Sequence, residues 1–350
     1  MKKSVFLIIV IMAAGLLCNI AGAQNQLQKP DEASIRPPDP TAEMFFIPGW
    51  HFDPMWWNTQ QHYLEDYASG SRVSAAFDLI KQYLQMCRVD KDYAFIVEQL
   101  PYLKPYWDVY PEDRKYMREL MAAGRLDVVG GSYNEPQTTM IGAENTIRNI
   151  AYGMIYQNEI MGGKNTISLQ TDVFGHDPNF PQFTKRAGHT ESAWARGPFH
   201  EWGFDRAGVN FPTEFFWTAP DGSTILTHYM SGFYGYGRQI GEDEQKAGPM
   251  ILGMYNDLRR TALTPKIMLP MLDDFAAPNR LLGPITRKWN SENTSPKARI
   301  GTVSSFFEAV RKSSSDLDRH IPFVSRDFSP VFPGCAVSFT DTKQANRLAE

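Results

Sequence analysis

Cysteine is scarce in this sequence. There are three in 350 residues, Cys18, Cys87 and Cys335, and Cys18 falls within a leader, so no disulfide framework is encoded. Cys87 sits on an expected amphipathic helix and reads as a small core residue. Excess positive charge is also missing. With 35 Lys and Arg against 39 Asp and Glu, the formal net charge is −4, which leaves no electrostatic footprint for nucleic acid. No internal repeat and no low-complexity segment is present. Beyond the first residues there is no apolar run of the ~20 residues that a membrane-spanning helix needs. What the chain does have is apolar material, 43% hydrophobic and 13% aromatic. That is enough for a large core and argues against disorder.

The first 23 residues read as an export signal. Lys2 and Lys3 supply the charged start, residues 5–17 the apolar middle, and Ala21-Gly22-Ala23 an A-x-A cleavage pattern. The alternative is a retained anchor, but the apolar run is short for that. The mature chain is therefore expected in the periplasm or outside the cell, with no stable membrane span. Residues 24–40 carry Pro30, Pro37, Pro38 and Pro40 and read as an extended leader. Residues 41–325 form the expected folded domain, and 326–350 a connector.

Apolar runs at 44–50, 93–97, 126–129, 167–171, 190–195, 266–272 and 299–302 read as strands. Helical periodicity covers 71–87, 111–123, 144–161, 180–187, 251–263 and 303–311. Strands alternating with helices imply parallel βαβ units, and about seven units in one domain point to an α/β barrel rather than an open sheet. Asp221-Gly222, between 215–217 and 224–229, marks a hairpin, read as an insertion beside the site.

The chemistry gathers at strand ends. The first strand runs into Gly49-Trp50-His51-Phe52-Asp53-Pro54. On extended chain, residues i and i+2 share a side, so His51 and Asp53 leave the strand together and can offer two ligands to one metal ion. Asp172 follows the fourth strand, and Asp273 and Asp274 follow the sixth. In a parallel barrel such residues collect on one face. Four carboxylates and an imidazole in one pocket call for a divalent cation, zinc being the first choice for this donor set. Each aspartate has a plainer reading as the N-cap of the next helix, or, for His51 and Asp53, as a hydrogen-bonded pair. The same residues suit glycoside hydrolysis by two carboxyls or hydrolysis by metal-bound water, and spacing does not choose between them.

At these residues the chain resembles the α-mannosidases of glycoside hydrolase family 38, from about residue 43 onward. His51-Phe52-Asp53-Pro54-Met55-Trp56 fits H-x-D-x-x-W, and Asp172-Val173-Phe174-Gly175-His176 fits D-x-F-G-H. Leu272-Asp273-Asp274-Phe275 resembles a later D-D-F, and Gly124-Arg125-Leu126-Asp127-Val128-Val129-Gly130-Gly131 a family strand. The resemblance implies a seven-stranded α/β barrel and cleavage of mannose-containing glycans with retention through a covalent glycosyl-enzyme. It implies zinc held by His51, Asp53 and Asp172, with Asp172 also the nucleophile. Asp274 would be the proton donor, with Asp273 beside it. Trp56, Arg196 and His228 are the expected substrate contacts, and His176 a loop brace. Leu169 stands where the family usually has Trp, which should alter packing rather than chemistry. Family members continue into a helical bundle that supplies a further zinc-binding His. Residues 343–350 resemble its entry, so the site is expected to lack that ligand and the chain to be truncated. Two rivals remain. A metal-dependent polysaccharide deacetylase would usually carry a paired H-x-x-x-H, which is absent. A glycan-binding remnant would have lost catalysis. No oligomeric state is implied.

Overall fold

The computed structural model describes residues 39–54, 60, 75–198, 211–313, 317–329, 332 and 339–349. The expected export signal, nearly all of the Pro-rich leader, Cys335 and Trp56 lie outside the described residues.

The chain alternates strands and helices: β1 (Glu43–Pro48), α1 (Ala76–Val89), β2 (Phe95–Val97), α2 (Leu100–Val109), α3 (Arg114–Ala122), β3 (Leu126–Val128), α4 (Ala143–Met154), β4 (Ile167–Gln170), α5 (Phe180–Arg186) and β5 (Glu191–Trp194). Then come β6 (Glu214–Thr218), β7 (Thr224–Tyr229), α6 (Ala247–Leu258), β8 (Lys266–Met271), α7 (Leu282–Glu292), β9 (Lys297–Ile300), α8 (Val303–Ser313), α9 (Leu317–His320), β10 (Phe323–Val324) and α10 (Thr340–Ala349). The long helix expected over 144–161 splits: α4 runs on into a π-helix, Ile155–Ile160. Helix α2 carries Pro101 in its first turn, where a missing N–H costs nothing, and Pro105 further in. Those prolines hide it from periodicity.

Five of the six β1 residues are buried, as expected for a parallel strand covered on both faces. Hydrogen-bonded ladders join the strands into three sheets, in the orders β8-β1-β9, β10-β6-β7-β5-β4 and β2-β3. Every pairing is parallel except β6 with β7. The fold is therefore α/β with mixed sheets. A closed seven-stranded ladder is not formed among the described residues, because no ladder joins the three sheets.

The side chains are more continuous than the ladders. One buried cluster takes alternate residues from seven strands or their ends: Phe45 and Ile47, Ile96, Val129, Ile167 and Leu169, Ala193 and Ala195, Leu226 and Met230, and Met268 and Leu272. Helix α8 adds Val303, Phe306, Phe307 and Val310 to the same cluster. The intervening residues, such as Met44, Phe46, Phe95 and Leu269, face a second core shared with the helices. Two backbone approaches bridge separate sheets. Leu169 N–H lies 3.4 Å from Gly130 O, and a Cβ at Gly49 would come within 2.9 Å of Ile96 O.

The hairpin expectation needs correcting. Its return strand, β7, pairs in parallel with β5 in the register Ala193↔His228 and contributes to the inner cluster, so only β6 lies outside it. Conversely β9, expected as the seventh strand, pairs with the first part of β1, Glu43–Phe46. The seven inward-facing strands are thus β1–β5, β7 and β8. A hairpin is legible from its turn, but which of its strands joins a parallel neighbour is decided by long-range pairing.

Candidate active site at the carboxyl ends of the strands

Past its last ladder pair with β8, β1 stays beside the incoming chain. His51 N–H donates to Leu272 O at 2.6 Å, and Phe275 N–H donates to His51 O at 2.9 Å. This bridge sets His51 beside Asp274, so two motifs more than 200 positions apart share one strand-end junction. Asp172, after β4, comes to the same place. His51 Nε2 lies 3.6 Å from Asp53 Oδ1 and 3.9 Å from Asp172 Oδ2.

His51 is 2% exposed. Its two ring nitrogens have opposite surroundings. Nδ1 lies 2.5 Å from Glu98 Oε1 and 2.9 Å from Thr171 Oγ1. Nε2 is buried and, among the described residues, has no hydrogen-bond partner. A buried ring nitrogen without a partner is costly, and this one faces two carboxylates at distances too long for hydrogen bonds. Ligands of a tetrahedral divalent ion at ~2.0–2.2 Å stand about 3.4 Å apart. The three side chains therefore fit a metal ion on the Nε2 face, with Glu98 as the outer carboxylate that fixes the ring. His51, Glu98 and Glu135 also offer ligand atoms within 4.8 Å of one another. That face is already filled by the Thr171 hydroxyl, 2.5 Å from Glu98 Oε2 and 2.8 Å from Glu135 Oε1. Of the two faces of the ring, the Nε2 side is the one whose donor spacing suits a metal ion.

Burial opposes charge on His51, but Glu98, Asp53 and Glu135 outweigh it and hold the imidazole well above its ordinary value. Burial lifts Asp172 above the usual carboxylate range, against the pull of Arg196 and His51. Burial and the neighbouring Glu98 push Glu135 up to about 8. Burial raises the carboxyl of Asp273 above its ordinary value. Asp274 Oδ1 accepts the Tyr234 hydroxyl at 2.7 Å. Arg196, just past β5, puts its Nε–H on Asp172 Oδ1 and its guanidinium over the rings of Phe233 (4.8 Å) and Tyr234 (5.7 Å).

His176 does brace a loop. Its Nε2–H donates to Arg196 O at 2.5 Å, its Nδ1 lies 3.0 Å from Gln170 Oε1, and its ring stacks on Trp194. Burial lowers its pKa to about 4, so it stays neutral.

His51, Asp53, Asp172, Asp273, Asp274 and Arg196 thus come together, while Trp56 is outside the described residues. His228 is placed differently. It lies within β7, its Nδ1 is 2.9 Å from Glu214 Oε1, and its ring packs edge-on against Phe306 of α8 at 4.7 Å. Its contacts belong to the buried core, because it shares the inward parity of Leu226 and Met230 one step below the strand end. The sequence reading missed Glu98, Glu135, Thr171 and Tyr234. Glu98 directly follows Val97 and obeys the strand-end rule that picked out the others. Glu135 and Tyr234 lie in loops without periodicity.

Parallel strands whose carboxyl ends collect an imidazole and several carboxylates define an α/β domain with a carboxyl-lined site. The profile of the "Glycosyl hydrolases family 38 N-terminal domain" matches residues 41–330. The chain belongs to glycosyl hydrolase family 38. It is 21% identical over 333 residues to "Alpha-mannosidase 2" of Drosophila melanogaster, covering 82% of this chain and 29% of that protein. Among solved structures it resembles an alpha-mannosidase from Enterococcus faecalis V583, with a TM-score of 0.69 at 18% identity, over 83% of this chain and 31% of that one. A 4-alpha-glucanotransferase from Thermococcus litoralis shares the fold more loosely, with a TM-score of 0.53 at 15% identity, over 77% of this chain and 40% of that one. The chain therefore spans less than a third of the two mannosidases.

Proposed function

We propose that the chain is an exported, zinc-dependent retaining glycoside hydrolase domain that cleaves α-mannosidic bonds in mannose-containing glycans. The observation that carries this reading is the buried His51 Nε2, without a hydrogen-bond partner among the described residues and facing Asp53 and Asp172. The inner cluster drawn from seven strands supports a closed seven-stranded barrel as the scaffold. Family membership supports the substrate class. The export signal at residues 1–23 supports a periplasmic or extracellular location, and among the described residues no helix is long and apolar enough to cross a membrane.

His51, Asp53 and Asp172 would hold the zinc ion. When bound, it would supply a Lewis acid that balances the carboxylates and grips sugar hydroxyls. Asp172, steadied by Arg196, attacks the anomeric carbon as the bond to the leaving oxygen breaks, forming a glycosyl ester. Asp274 gives its proton to that oxygen, then takes one from the water that hydrolyses the ester. Tyr234 donates to Asp274 Oδ1, which leaves Oδ2 to carry the proton. Asp273 sits beside it, with Asp274 N–H donating to Asp273 Oδ1 at 3.1 Å. Trp56 would stack on the sugar.

The test is turnover of an aryl α-mannoside by the purified chain supplied with zinc, against Asp172→Asn. Turnover by the wild type alone, with the α-anomer as first product, supports the reading. No turnover from the wild type would contradict activity of this chain by itself.

A further inference from the structure

The ladder of β4 ends at Gln170, yet Thr171 is fully buried. Buried backbone N–H groups need acceptors, and here one side chain meets two in succession. Glu135 Oε1 accepts the Thr171 N–H and lies 2.8 Å from the Thr171 hydroxyl, while Oε2 lies 3.4 Å from the Asp172 backbone N. The Thr171 hydroxyl also contacts Glu98 Oε2 at 2.5 Å and His51 Nδ1 at 2.9 Å. A carboxylate from the loop after β3 therefore grips the turn that carries Asp172. Through one hydroxyl it also touches the assembly that orients His51.

We propose that Glu135 is a positioning residue for the metal seat: it clamps the Thr171–Asp172 backbone so that the Asp172 carboxylate and His51 Nε2 point at one place. This rests on the metal role proposed for those two side chains. Glu135 itself offers no ligand to that seat, since its carboxylate is spent on Thr171 and the Asp172 backbone.

A comparable clamp separates this role from plain structural support. Asp127 of β3 accepts the Ser304 N–H at 2.9 Å at the start of α8, with no metal-seat residue nearby in that bond. Removing outer partners of metal ligands typically weakens metal affinity by about 10- to 100-fold, whereas removing the Asp127 clamp should lower stability alone.

The experiment titrates Zn2+ into the purified metal-free chain, read by competition with a chromophoric chelator, with thermal midpoints measured in parallel. Glu135→Ala should weaken zinc binding by about 10- to 100-fold. Glu135→Gln keeps one acceptor oxygen and should fall between Ala and wild type, and it covers the case in which the Ala variant does not fold. Asp127→Asn should lower the thermal midpoint and leave zinc affinity within twofold of wild type. Wild-type affinity in the Glu135→Gln chain, or a loss in Asp127→Asn equal to that at Glu135, overturns the proposal. Absence of zinc binding by the wild type overturns the metal reading first and the clamp with it, a result distinct from equal binding by wild type and variant.

Discussion

The two ends of the parallel strands use the same residue types and treat them differently. At the amino ends each carboxylate named here is answered. Glu43 opens β1 and lies 3.4 Å from Lys266 and 3.8 Å from Arg299. Glu191 opens β5 and meets Arg311 of α8 at 2.5 Å. Asp127 is met by the Ser304 N–H. At the carboxyl ends, Asp53, Glu98, Glu135, Asp172, Asp273 and Asp274 gather, and the direct ion pairs recorded there among the described residues run through His51 and Arg196 alone. Burial raises Asp172, Asp273 and Glu135 here, as it does Asp127 at the other end, so it is the gathering of unanswered carboxylates and not burial that sets this end apart. Satisfied charges at one end hold α8 under the inner core. Crowded, under-compensated charges at the other are what a functional site looks like.

Substitutions at the two ends should therefore separate activity from stability. The largest effect belongs to Asp172→Asn, which should cut aryl α-mannoside turnover by roughly ten-thousand-fold with little change in fold, read by kcat and far-ultraviolet circular dichroism. Asp274→Asn should cost about a hundred- to ten-thousand-fold. Its loss should be greatest for poor leaving groups and accompanied by disappearance of the alkaline limb of the pH–rate profile. An Asp274→Asn chain that kept that limb would move the acid to Asp273.

Away from the seat, acid should act through buried neutral histidines. His176 and His189 are each lowered by burial to about 4. Above pH 6.5 folded and unfolded chains both leave them neutral. As the pH falls, the unfolded chain takes a proton first, so their stabilising contribution is lost between about 6.5 and about 4. By pH 5 the loss is about 2 kcal/mol per histidine. Urea midpoints across this range should fall less steeply in His189→Gln than in wild type, and equal slopes would contradict the assignment. Smallest of all, Asp127→Asn at the amino end should cost about 1 kcal/mol and leave turnover unchanged.

How much of this was legible beforehand depends on the distance over which each feature is decided. His51, Asp53, Asp172, Asp273 and Asp274 follow apolar runs immediately, so strand-end logic finds them without coordinates. Glu98 follows Val97 under the same rule. Glu135 was not legible, because its partners are 36 and 37 positions away and the loop that carries it shows no period. The parity of His228 with Leu226 and Met230 was readable, but not that Phe306, from the far side of the fold, fills the space it faces. The α/β alternation was legible from apolar spacing. The exchange of β9 for β7 among the inward-facing strands was not, since it depends on β5 choosing the returning arm of a hairpin.

The claim that His51 Nε2, Asp53 and Asp172 form a metal seat is tested most directly by zinc K-edge absorption on the purified chain, with bound zinc counted beside it. The account predicts about one zinc per chain, with one imidazole and carboxylate oxygens at ~2.0–2.2 Å, and loss of both the metal and the imidazole signal in His51→Ala. A wild-type chain that takes up no zinc, or whose zinc site is unchanged by His51→Ala, would contradict it.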